Sequence, residues 1–168
     1  MIITLSGEVG SGKSTIGKEI AKKLNYTYNS TGEIFKKLAE EHKIDLTDFL
    51  EYAEKNLDLD TEVDEKQRAT KQNTILDSRM GFHFANSDLK IWLKAPLDER
   101  IKRIVKRDNL SLEIAKEKIE KREKIEREKY IRLYSVDIFD AENYDLIIDT
   151  VEYNIEQVVE KICAYLNI

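Results

Sequence analysis

The stretch Gly7-Glu8-Val9-Gly10-Ser11-Gly12-Lys13-Ser14 decides the fold of this chain. It fits the pattern G-x-x-x-x-G-K-[ST] and sits in the context that pattern requires. Before it runs the β-branched apolar segment Ile2 to Leu5, ending in the small residues Ser6 and Gly7, and after it begins the helix-like stretch Ser14 to Leu24. The order is strand, glycine-rich loop, helix. A triphosphate needs several backbone N–H groups aimed at one point, and glycines allow the tight turns that do this at the positive end of a helix dipole. In this reading Gly7 through Ser14, with Thr15, bind ATP. Lys13 brings a mobile positive charge to the β and γ phosphates, and the Ser14 hydroxyl is a ligand for the Mg²⁺ that accompanies ATP. The competing reading, a glycine-rich turn that only ends a strand, leaves the intact pattern and its flanks unexplained.

Outward from the loop, a second short strand fits Tyr26 to Asn29. Ser30 and Thr31 can then cap a helix carrying the apolar stripe Ile34, Phe35, Leu38 and Ala39. From Asp45 to Gln72 the chain is polar, with thin apolar spacing at Leu46, Phe49, Leu50, Ala53 and Val63; this predicts two short exposed helices that could cover a cleft. Three compact apolar runs, Thr74 to Asp77, Leu89 to Leu93 and Asp145 to Ile148, read as buried parallel strands. Pro96 suits the first turn of a helix, and Ile155 to Leu166 gives a closing amphipathic one. Strands alternating with helices imply an α/β fold: a parallel sheet with helices on both faces and ligands at the strand C-termini.

The 168 residues suit one domain, 1–168. A single cysteine, Cys163, allows no internal disulfide and no cysteine-based zinc cage, which matches a reducing, cytoplasmic setting. The apolar start, Met1 to Leu5, is too short for a signal peptide, and no run approaches membrane-spanning length. A net charge of -5, with a pI near 5.3, argues against nucleic acid or an anionic membrane as partner. Yet the charge is lopsided: Arg100 to Arg132 holds 13 Lys/Arg against 7 Asp/Glu. A local basic element sits on an acidic body.

A loop of this kind occurs in GTPases, motors and small-molecule kinases, so the rest of the chain must choose. The sequence resembles the nucleoside monophosphate kinases, in particular the archaeal-type cytidylate kinases, over nearly its whole length. The resemblance is carried by Met1-Ile2-Ile3-Thr4-Leu5-Ser6-Gly7 with the loop, Ser30-Thr31-Gly32-Glu33-Ile34-Phe35, Ile75-Leu76-Asp77-Ser78-Arg79 and Leu89-Lys90-Ile91-Trp92-Leu93-Lys94-Ala95-Pro96-Leu97. It continues through Arg122-Glu123, Tyr130 to Tyr134 and Tyr144-Asp145-Leu146-Ile147-Ile148-Asp149-Thr150. What it implies is a P-loop NTPase fold with a five-stranded parallel sheet of order 2-3-1-4-5, an inserted NMP-binding segment at about 30–72 and a helical lid at about 107–140. The implied reaction is transfer of the ATP γ-phosphoryl group to CMP, and to dCMP, by a monomer.

The resemblance also assigns residues. Arg79, just past a strand end, falls where the family grips the acceptor phosphate, an anion a guanidinium can hold bidentately. A surface ion pair with Asp77 is the alternative. Asp77 could hold a Mg²⁺ water, orient Arg79 or cap the next segment. Ser30 and Lys36 fall in the acceptor region, Lys36 where the family has an arginine and where an exposed helix lysine would serve equally. Ser78 replaces a usual glycine. Asp64 and Gln67 lie in the base-reading segment, where a carboxylate accepting from the cytosine amino group would reject uracil; a solvated helix face is the rival reading. Arg107, Arg122 and Lys129 would be the lid's phosphate ligands, with i, i+4 pairs such as Glu120 with Lys124 and Glu123 with Arg127 on the other face. Lys13, Arg79 and Arg122 are the candidate catalytic residues. Two other functions stay open at this point: a kinase for UMP, AMP or a small metabolite, and a non-catalytic ATP-binding regulatory module.

Overall fold

A computed structural model describes residues 1–54 and 57–167. Residues 55 and 56, within the expected NMP-binding segment, and residue 168, the end of the expected domain, lie outside the described residues. Five parallel strands, β1 (Ile2–Gly7), β2 (Thr27–Ser30), β3 (Thr74–Asp77), β4 (Leu89–Lys94) and β5 (Leu146–Asp149), form one sheet in the order β2-β3-β1-β4-β5. The expected strand order is therefore the observed one. β1 is buried along its whole length, as a central parallel strand covered on both faces must be. Ile3, Leu5, Ile75, Ile91 and Leu93 pack against α1 (Lys13–Leu24) and α8 (Ile155–Tyr165) through Ile16, Ile20, Val158 and Ile162. Cys163 is buried in the same core. On another side, Met80, Phe82 and Phe84 of the short α5 (Gly81–Phe84) and its N-cap pack with Ile138, Tyr134 and Tyr144.

Adjacent strands β1 and β3 lead onward in opposite directions, β1 toward β2 and β3 across to β4, which opens a crevice at their C-terminal ends. Two helical groups rise over it. α2 (Thr31–His42), capped by Ser30 accepting from Glu33 N–H at 3.3 Å, packs on α3 (Leu46–Glu54) around Ala39, Phe49 and Ala53, and α4 (Leu57–Arg68) follows. Opposite them stand α6 (Leu97–Asp108) and the long α7 (Leu112–Tyr134), joined to the loop by Val9, Ile104, Ala115 and Ile119.

The stretch after Asp45 is less exposed than its composition implies. Phe49, Leu50, Ala53 and Val63 are buried, because thin apolar spacing suffices for helices that pack on other helices rather than on the sheet. No described helix is long and apolar enough to cross a membrane.

Candidate active site

Backbone contacts shape the loop between β1 and α1. Gly7 has φ +150°, and a Cβ there would stand 2.2 Å from the Leu93 carbonyl oxygen, so only glycine lets β1 end this close to β4. Glu8 N–H donates to Leu93 O at 3.1 Å, and Ser11 N–H turns back to Glu8 O at 3.2 Å. Side chains brace the turn from outside. Glu8 Oε2 accepts from Ala95 N–H at 2.9 Å, Arg100 Nη1 donates to Val9 O at 3.1 Å, and Thr150 Oγ1 donates to Ser11 O at 2.9 Å.

Four charged groups converge on the inner side of this loop. Lys13 Nζ donates to Gly7 O and Glu8 O at 2.9 and 2.8 Å. Arg79, two residues past β3, donates through Nη1 to the same Gly7 oxygen and places Nε 2.8 Å from Glu126 Oε2. Arg122 Nε donates to Glu126 Oε1 at 2.8 Å. Packing around the Lys13 ammonium is the main cause that draws its pKa down to about 7, with Arg79 and Arg122 adding to it against Asp77 and Glu126. Burial alone would raise Glu126; Arg122 and Arg79 outweigh it and hold the carboxyl at about 2. Beside them Asp77 Oδ2 accepts from Ser14 Oγ at 3.0 Å and from Tyr28 OH at 2.7 Å. On the outer side of the loop, a cavity of about 210 Å³ is lined by Gly12, Thr15, Arg103, Thr150 and Tyr153 among others.

A family model described as the cytidylate kinase-like family matches residues 2–152. The chain belongs to this family. Among curated relatives, a cytidylate kinase of Methanobrevibacter smithii is 37% identical over 171 residues, covering 100% of this chain and 99% of its own length. A cytidylate kinase of Pyrococcus abyssi is 41% identical over 161 residues, covering 94% of this chain and 89% of its own. The shikimate kinase of Acinetobacter baumannii, solved with shikimate, shares the fold at 18% identity and a TM-score of 0.66, over 98% of this chain and 92% of that one.

The acceptor and lid positions expected from this family fall into two groups. Arg79, Arg122 and Lys13 are brought together, and Arg79 meets Glu126 rather than the Asp77 partner weighed from sequence. Asp64 and Gln67 also converge, and the solvated-face reading is corrected: both are buried. α4 turns them toward the end of β3, where Ser78 Oγ donates to Gln67 Oε1 at 2.5 Å and accepts from Met80 N–H at 3.2 Å. Asp64 Oδ2 accepts from Tyr134 OH at 2.5 Å. The serine that replaces a glycine thus links α4 to the strand end.

Others stay apart. Arg107 is turned onto Asp108, with Nε–Oδ1 and Nη2–Oδ2 both at 2.7 Å. Arg103, one turn earlier, reaches the loop as Arg100 does, donating to Gly10 O at 3.3 Å and Thr150 Oγ1 at 2.8 Å. Lys36 is exposed on α2, close enough to Asp108 to help lower that carboxyl's pKa after Arg107 has done most of it. Lys129 is buried, its Nζ 5.9 Å from the Phe35 ring centre on α2.

The helix-pair expectations are also corrected. Glu123 turns inward to Val9 N–H and Arg100, both at 2.8 Å, while Arg127 pairs with Asp137 and Lys124 with Glu128. Four-residue spacing names possible partners but not which face of α7 is buried. Sequence reasoning missed the roles of Arg100, Arg103 and Glu126 and put Glu123 on the outer face. Only Glu126 carried a signal, its spacing of four from Arg122.

Proposed function

We propose that the protein transfers the γ-phosphoryl group of ATP to CMP, and also to dCMP, giving ADP and CDP. The observation that carries this reading is the convergence of Lys13, Arg79 and Arg122 beside the loop, in a member of the cytidylate kinase-like family. An oxygen of the CMP phosphate attacks the γ-phosphorus, and the bond from that phosphorus to the β–γ bridging oxygen breaks to release ADP. Such a transfer asks for in-line placement of two anions and neutralisation of charge on the transferred group. Lys13 serves the β and γ phosphates, Arg79 the acceptor phosphate and Arg122 the group in transit. The acceptor phosphate is largely ionised at neutral pH, so no general base is needed, and Asp77 has a supporting role.

A hydroxyl and a carboxylate side by side are hard oxygen donors, so Ser14 and Asp77 fit Mg²⁺ and would hold it. The ion would neutralise phosphate charge there. In this reading the cavity beside Arg103 and Tyr153 takes the adenine. Within one domain, 1–168, residues 30–72 form the NMP-binding part and 107–140 the lid. Asp64 and Gln67 read the cytosine edge.

ADP release measured by a coupled assay across CMP, dCMP, UMP and AMP tests the proposal. CMP should exceed UMP and AMP in kcat/KM by at least about tenfold, as expected when buried polar groups matched to one base are left unpaired by another. Equal rates across the panel, or no acceptor-dependent release, would reject it.

A further inference from the structure

We propose that Glu126 is a positioning residue of the transfer site, holding Arg79 and Arg122 by their Nε edges so that both guanidiniums turn their Nη edges to the phosphoryl group. The inference rests on the reading of both arginines as phosphate ligands. Lys13, Arg79 and Arg122 come from three elements, and like charges crowded into a drying cleft repel one another. The carboxylate placed among them is 4% exposed. A buried ion pair is a poor source of stability compared with apolar packing, so its placement calls for another account.

Direction supplies it. Arg122 and Glu126 stand four residues apart on α7, so their pairing at 2.8 Å travels with that helix. Arg79 belongs to the strand end across the crevice, and its Nε lies 2.8 Å from the other carboxylate oxygen. Glu126 is therefore the point where an arginine on α7 and an arginine on the sheet come into one register. The contact to Arg79 is Coulombic: Glu126 Oε2 makes no aligned hydrogen bond among the described residues. The charge keeps Arg79 from turning away as the acceptor enters. Its Nη1 already rests on Gly7 O, which places the Nη edge at the loop.

The test uses the full chain with MgATP and CMP. Glu126→Gln keeps the shape and removes the charge. It should lower kcat by about thirtyfold or more while KM for ATP moves less than about threefold, since misaligned guanidiniums weaken the transition state more than the bound substrate. Glu126→Asp should recover part of kcat. Combined with Arg122→Ala, Glu126→Gln should cost much less than the product of the two separate losses, because it acts through the arginines. A near-normal kcat per folded molecule for Glu126→Gln, whatever happens to its melting temperature, would overturn the proposal, and so would multiplicative losses. If Glu126→Gln does not fold, Glu126→Asp decides: an unchanged kcat overturns the proposal and a lowered kcat at constant KM supports it. Normal turnover of Arg79→Ala and Arg122→Ala would show instead that the underlying reading of the arginines is wrong, and Glu126 would fall with it.

Discussion

At the loop end of the crevice, the geometry comes from backbone: Gly7 is pressed against Leu93, and Glu8 and Ser11 close the turn by main-chain hydrogen bonds. At the acceptor end it comes from side chains on separate elements, with Arg79 after β3, Asp64 and Gln67 on α4, and Arg122, Glu126 and Tyr134 on α7. The first kind of site is built once the sheet forms, since its parts are either neighbours in sequence or paired across adjacent strands. The second exists only when helical groups from both sides of the crevice meet. Substitutions at the two ends should therefore fail in different ways.

The largest expected effect lies at the loop. Lys13 Nζ donates to the loop carbonyls of Gly7 and Glu8, so Lys13→Ala should remove its charge without disturbing the core. Turnover should fall by about a thousandfold or more, as for loss of a main electrostatic ligand of the transferred group, while the melting curve stays close to that of the parent protein. Substantial turnover by the folded variant would break the contrast, because the loop would then not be the seat of ATP binding.

This contrast also accounts for what was legible in the sequence. The loop could be read at once, because eight consecutive residues hold the whole arrangement and each residue type has a backbone or charge reason to be there. The sheet order came with the family resemblance and is the order observed. At the acceptor end, Arg79 could be placed, since it follows a strand whose end faces the crevice. Arg107 and Arg103 could not be told apart, because four positions on one helix differ by little in direction and only the bound partner, Asp108 or Thr150, separates them. Glu126 was hidden among the charges of α7, where composition marks a solvated helix and says nothing of which acid turns inward.

A smaller effect should arise at Ser78. Met80 N–H donates to its hydroxyl oxygen, so the hydroxyl proton is directed to Gln67 Oε1, and that contact fixes the side-chain amide beside Asp64. Ser78→Ala removes the constraint but leaves the carboxylate and amide present. The ratio of kcat/KM for CMP over UMP should narrow by about two- to fivefold, less than the roughly tenfold discrimination expected when base-reading groups are lost outright. Kinetics with the two acceptors gives the answer. A ratio unchanged in Ser78→Ala but lost in Asp64→Ala would confine base reading to the carboxylate.

The smallest effect belongs to the contact between α3 and α7, where the two helical groups meet above the crevice. Lys118 Nζ lies 2.5 Å from Asp45 Oδ2, and Lys121 Nζ lies 3.4 Å from Asp48 Oδ1 and 3.1 Å from Glu51 Oε1. All of these side chains are at least 40% exposed. Exposed pairs of long side chains gain little, because water screens the attraction and ordering the chains opposes it. They can bias the approach of the groups but not enforce it. Lys121→Ala should raise amide exchange in residues 112–134 of the ligand-free protein by less than about threefold at low salt. The difference from the parent should vanish near 1 M salt, where the screening length falls to about 3 Å. KM for CMP should shift by less than about twofold, in keeping with the small worth of exposed pairs. An effect on kcat approaching that of Arg122→Ala, or one indifferent to salt, would mean that α3 helps to build the transfer site. The line drawn between a backbone-built end and a side-chain-built end would then have to move to include it.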